Sequence, residues 1–150
     1  MKGRTAGRNH VAKADAMPSG VKAVEEWYRQ QSLAWQQIIS LNWPRALAEY
    51  ERSYTCAEFM LQQAPCKCCA VKAYVRTVVE YALVLHKTNQ QPLLAQLRVM
   101  SLHSLQPMLG MAHAVQLLKP LRDIQRAATA QVDHWIGLLL MADAKSGLTH

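Results

Sequence analysis

Three of the four cysteines fall in one short stretch, Cys66-Lys67-Cys68-Cys69. Soft thiolates at this spacing suit Cu(I) or Zn(II), with Cys56 or a histidine completing a set built on Cys66, Cys68 and Cys69. A structural zinc site, however, normally pairs two such elements, and the sequence has no second one. His86, His103, His113 and His134 follow neither a His-x-x-x-His nor a Glu-x-x-His spacing. Thiolates at a helix start beside Lys67 and Lys72 are also placed to sense oxidants. The plainest expectation is free, packed cysteines at the head of a helix, with no cofactor.

Catalytic patterns are missing. There is no Gly-rich phosphate loop, no Gly-x-Ser-x-Gly elbow and no His-Glu-x-x-His. Asp133 and His134 are adjacent, so on a helix they point about 100° apart and do not share a proton readily. Glu80, between Val79 and Tyr81, reads as a surface position. The chain reads as a non-enzyme.

The elements that carry these residues are helical. The 150 residues are 51% apolar and 18% charged, enough for one core. β-branched residues never alternate with polar ones as a strand requires, and no Asn-Gly or Asp-Gly turn occurs. Helical spacing predicts a first helix from Ser19 and a second capped by Asn42, with Pro44 in its first turn. The second should end before Ala64-Pro65, because proline disfavours helical geometry at the residue before it. A third is expected over about 68–87, a fourth from Pro92 interrupted near Pro107, a fifth over 108–118, and a last from Pro120 to about Ala142. Short connections make sequential helices antiparallel neighbours. The expected fold is therefore all-α, five or six helices in antiparallel hairpins, with residues 1–18 a flexible basic arm, 19–144 one helical domain and 145–150 a frayed tail. The hairpins either stack as an open array or close into a bundle.

The first hairpin narrows the choice. Leu33-Ala34, then Trp43, Ala46, Tyr50 and Ser53, resemble the spacing of the tetratricopeptide repeat (TPR). In that pattern small residues let two helices approach while aromatic ones fill the groove between them. Leu41 stands where the repeat usually has glycine, Gln37 where tyrosine is common, and Glu58 where proline closes the unit. The stretch Cys66 to Lys72 is also similar to bacterial proteins of this repeat-like type. The resemblance implies a fold that binds peptides or partner proteins as an adaptor, chaperone or regulator. In its register Tyr28, Gln31 and Trp35 would face the groove, with Arg29, Lys72 and Arg76 as cationic clamps on an acidic segment.

Charge supplies the second class of partner. The net charge is +7, and Lys2, Arg4, Arg8 and Lys13 against Asp15 place +3 of it in the first 21 residues. Such an arm suits phosphate-led, non-specific contact with nucleic acid. Leu138, Leu139, Leu140 and Met141 cannot all enter one core, which predicts a homodimer interface on the last helix. No apolar run approaches the roughly 20 residues needed to cross a bilayer, and no apolar stretch follows the basic N-terminus. The expected location is the cytoplasm, with no membrane partner.

Overall fold

The structure, a computed structural model, describes residues 19–148, with side chains described through Lys145. The basic arm expected at 1–18 lies outside the described residues. Seven helices and no strand occur among them: α1 (Ser19–Ile39), α2 (Trp43–Gln63), α3 (Lys67–Lys87), α4 (Gln91–Leu109), α5 (Met111–Leu117), α6 (Lys119–Arg126) and α7 (Thr129–Leu148). The chain is all-α.

Local chemistry accounts for most boundaries. Asn42 accepts from the Arg45 N–H to cap α2, and Pro44, Pro92 and Pro120 each lie in the first turn of their helices, where a missing N–H costs nothing. Two boundaries depart from the sequence reading and raise the count from the expected five or six helices. Pro107 does not break α4, which continues two residues past it; the missing N–H leaves the His103 carbonyl without its helical donor. The break comes at Gly110, whose φ of +85° is a conformation that favours glycine. The expected 120–142 helix also divides, because Ala127 is extended at φ −76° and ψ 151°. The Ala127 carbonyl accepts from His86 Nε2 at 2.9 Å, which ties this break to the end of α3. Beyond it, α7 continues past Lys145 to Leu148.

The turns after α1 and α3 share one geometry. Leu41 N–H donates to Ile38 and Asn42 N–H to Gln37, just as Asn89 N–H donates to His86 and Gln90 N–H to Leu85. These are Schellman closures, and each needs a left-handed residue: Leu41 at φ 57° and Asn89 at φ 63°. Asparagine tolerates that region, whereas leucine carries a steric penalty of roughly 1–2 kcal/mol. Leu41 is 60% exposed, so little packing offsets the strain. Leu41→Gly is accordingly expected to stabilise the fold by about 0.5–1 kcal/mol, less than the penalty removed because glycine loses more chain entropy on folding. A urea midpoint at or below that of the wild type would contradict this.

The helices pack around α3. It contacts α1 and α2 on one side and α4, α6 and α7 on the other. Its sequence explains the position. From Thr77 to Leu85 every residue is buried except the half-buried Val79 and Tyr81, and a helix apolar on all sides belongs inside. At the opposite end of the hairpin, α1 and α2 come together at Gly20. A Cβ there would collide with the Gln63 carbonyl oxygen and lie 3.0 Å from Pro65 Cδ.

Glu80 is buried, 6% exposed, and not on the surface as its neighbours in sequence suggested. It lies on the α3 stripe of Ala73, Thr77 and Val84, spaced by three and four residues, which faces the first hairpin. Its Oε1 accepts from Gln31 Nε2 at 2.6 Å and Tyr50 OH at 2.5 Å, and its Oε2 from Arg76 Nε at 3.0 Å. Gln31 Oε1 accepts from Ser53 Oγ at 2.5 Å and Thr77 Oγ1 at 3.1 Å, while Trp27 Nε1 donates to Thr77 Oγ1 at 2.8 Å. This chain of bonds links α1, α2 and α3 through the core. A second set links α2, α3 and α4: Glu58 Oε2 accepts from Tyr54 OH at 2.5 Å, Tyr74 OH at 3.1 Å and Ser104 Oγ at 2.6 Å.

Candidate functional site

With its buried faces committed to α1 and α2, the N-terminal half of α3 leaves Val71 and Val75 only partly covered. The end of α4 and the short α5 stand opposite. Between them runs a groove of about 930 Å³. Val71, Val75, Met108, Leu109 and Leu117 supply its apolar lining, and the exposed side chains Lys67, Lys72, Arg76 and His113 its polar one. Among the described residues no carboxylate lines it. Lys67 Nζ donates to the carbonyls of Leu61 and Gln62 at the end of α2, 2.8 Å and 3.0 Å away, and Arg76 is held by Glu80. Lys72 makes no ion pair among the described residues. The arrangement suits an apolar ligand face flanked by negative charge.

The residues expected to grip a peptide do not share one surface. Tyr28 is 64% exposed and Arg29 is exposed beside Glu26, its ion-pair partner. Gln31 is 2% exposed and Trp35 is also buried, so both belong to the core. The reason is helical phase. Trp27, Gln31, Ala34, Trp35 and Ile38 form the stripe facing α2 and α3, and Tyr28 lies about 100° away from Trp27. Lys72 and Arg76 come together on the groove, remote in role from Tyr28 and Arg29. The groove's other wall, Met108, Leu109, His113 and Leu117, escaped the sequence reading. Its usable signal was the run of apolar residues on either side of Gly110.

Cys66, Cys68 and Cys69 are exposed where the sequence suggested packed thiols, because they occupy the solvent-facing first turn of α3 and the residue before it, whereas Cys56 on α2 is half-buried. Cys68 faces the groove. Cys66 and Cys69, one turn apart, face a separate cleft of about 270 Å³ with Trp27 and Tyr28. The three are thus not directed at one point, and among the described residues no three His, Cys, Asp or Glu side chains converge as a metal site.

On α7, Val132 and Ile136 enter the core, Leu139 and Leu140 are half-buried against it, and Leu138 and Met141 are 50% and 67% exposed. Leu138 and Leu139 border a cleft of about 420 Å³ shared with Leu83, Ile124 and Trp135. Lys87 anchors this helix by its ion pair with Asp133 at 2.7 Å, while lying 5.4 Å above the Trp43 ring. Among the described residues no helix is long and apolar enough to cross a membrane. Comparison with protein-family models, with curated proteins and with solved structures gives no match for this chain.

Proposed function

We propose that this protein is a non-enzymatic interaction module, an adaptor, chaperone or regulator, whose groove between α3 and α4–α5 receives an acidic amphipathic segment of a partner protein. One observation carries the reading: an apolar groove lined by Lys67, Lys72 and Arg76 and, among the described residues, by no carboxylate. Apolar contact would supply the affinity, and the cations would set orientation and encounter rate. The TPR-like character of the first hairpin is part of the proposal, supported by full burial of Ala34, Ala46 and Ser53 at the small positions of that spacing. The contacts of α6 and α7 with α3 support a second half that closes rather than stacks openly. Self-association through Leu138 and Met141 on α7 is the second reading, supported by their exposure.

The test uses two fluorescent helical peptides with the same apolar positions, one acidic and one basic on the polar face. Anisotropy titration of the full chain should show the acidic peptide binding at least tenfold more tightly, with affinity falling as salt rises. Lys72→Glu should cost about tenfold, on the order of 1.4 kcal/mol, and Val75→Asp more. Equal binding of the two peptides, or no binding of either, would overturn the proposal.

A further inference from the structure

The first turn of α3 holds two thiols in contact. Cys66 is the N-cap residue, extended at φ −101° and ψ 102°, so its side chain folds back over the turn and its sulfur accepts from the Cys69 N–H at 3.3 Å. Cys69 occupies the third helical position, where an N-cap side chain and its neighbour one turn on face each other. The two sulfurs are 2.7 Å apart and both residues are exposed. Cys68 lies between them in sequence but points to the other side of the helix, toward the groove. The sulfur pair opens onto the apolar cleft walled by Val24, Trp27 and Tyr28.

We propose that Cys66 and Cys69 form a reversible dithiol–disulfide site that exchanges with low-molecular-weight disulfides of the glutathione type. Cys66 is the attacking thiol. Hydrogen bonds from the Cys69 side chain and then from the Cys69 N–H favour its thiolate and bring its pKa below the usual thiol range, while the same contact raises that of Cys69. The Cys66 thiolate attacks one sulfur of the small disulfide. That sulfur–sulfur bond breaks, one small thiolate leaves, and a mixed disulfide forms on Cys66. Cys69 then gives its proton to the departed thiolate and attacks the Cys66 sulfur, expelling the second small thiolate, which takes a proton from water. The protein dithiol loses two electrons and the small disulfide gains two, becoming two thiols. Residues 66 and 69 are close enough in the chain for ring closure with little loop-closure entropy. The apolar cleft provides room for the small molecule's cysteinyl arm.

The experiment equilibrates the full chain in buffers of graded glutathione-to-glutathione-disulfide ratio, quenches with acid, alkylates free thiols and maps linkages by mass spectrometry. The wild type should lose two hydrogens and gain a Cys66–Cys69 link at a definite ratio, with Cys56 and Cys68 alkylated throughout. Cys68→Ser should behave alike. Cys69→Ser should stop at the mixed disulfide on Cys66, and Cys66→Ser should form neither product at a comparable rate. Far-UV circular dichroism of each variant shows that it is folded. A pair that stays reduced in excess glutathione disulfide, a link that uses Cys68, or equal reactivity of the Cys66→Ser chain would overturn the assignment.

Discussion

Glu80→Ala is expected to lower the unfolding free energy by about 2–6 kcal/mol, the cost of leaving two buried neutral donors without their acceptor. Gln31 Nε2 and Tyr50 OH both donate to Glu80 Oε1 in the core, and deletion leaves both donors dry and unpaired. Arg76 contributes less to this cost because its exposed guanidinium returns to water. The loss is a large share of the roughly 5–15 kcal/mol that stabilises a domain of this size. Glu80→Leu should be no better, since it fills the space without accepting a bond. Tyr50→Phe, which removes one donor and leaves the carboxylate its other partners, should cost only about 1–2 kcal/mol. Urea unfolding followed by circular dichroism separates these outcomes, and a Glu80→Ala midpoint within about 1 kcal/mol of the wild type would show that the network does not hold the first three helices together.

Alkaline pH should destabilise the protein through its buried tyrosines Tyr50, Tyr54 and Tyr74. Burial, foremost, pushes the Tyr74 hydroxyl up to about 12. Burial together with Glu80 moves Tyr50 still higher, and burial together with the Glu58 and Tyr74 hydrogen bonds does the same for Tyr54. The folded chain therefore holds these protons more tightly than the unfolded chain, where tyrosine titrates near 10. The stability they confer is intact below about pH 10 and is lost as pH rises through the folded values. Each such tyrosine removes about 1.4 kcal/mol per pH unit above 10 until its own folded pKa is reached. With three acting together, the urea midpoint should hold between about pH 8 and pH 9 and fall steeply by about pH 11. The double variant Tyr54→Phe/Tyr74→Phe should flatten that fall, though it starts from a lower stability. A midpoint unchanged to about pH 11 would refute the account.

The helix boundaries legible in the sequence are those set by local signals. Pro44, Pro65 and Asn42 act through their own backbone neighbours, and the α1–α2–α3 boundaries appear where those residues require them. Pro107 misled because its cost falls on the preceding turn, at the His103 carbonyl, and does not itself end the helix, which runs two residues further to Leu109. The break at Ala127 has no breaker residue at all. It is set by a carbonyl that bonds to His86, 41 residues earlier in the chain. Gln31, Glu80, Ser53 and Thr77 carried a readable signal, since each falls on an apolar stripe at a spacing of three or four. Their polar character argued for the surface because no single helix contains the partners that make burial tolerable.

By itself, the amino-acid sequence determined that this chain is helical, where most of its helices begin and that the end of α3 is too apolar to face water. These properties depend on residues within a turn or two of one another. Only the tertiary structure decided the rest. It placed Lys72 and Arg76 on one groove with the ends of α4 and α5, and took Gln31 and Trp35 into the core. Each of these outcomes depends on which side of a helix is covered by another helix. That choice is made by packing complementarity among surfaces distant in sequence, which spacing along one strand of chain does not encode.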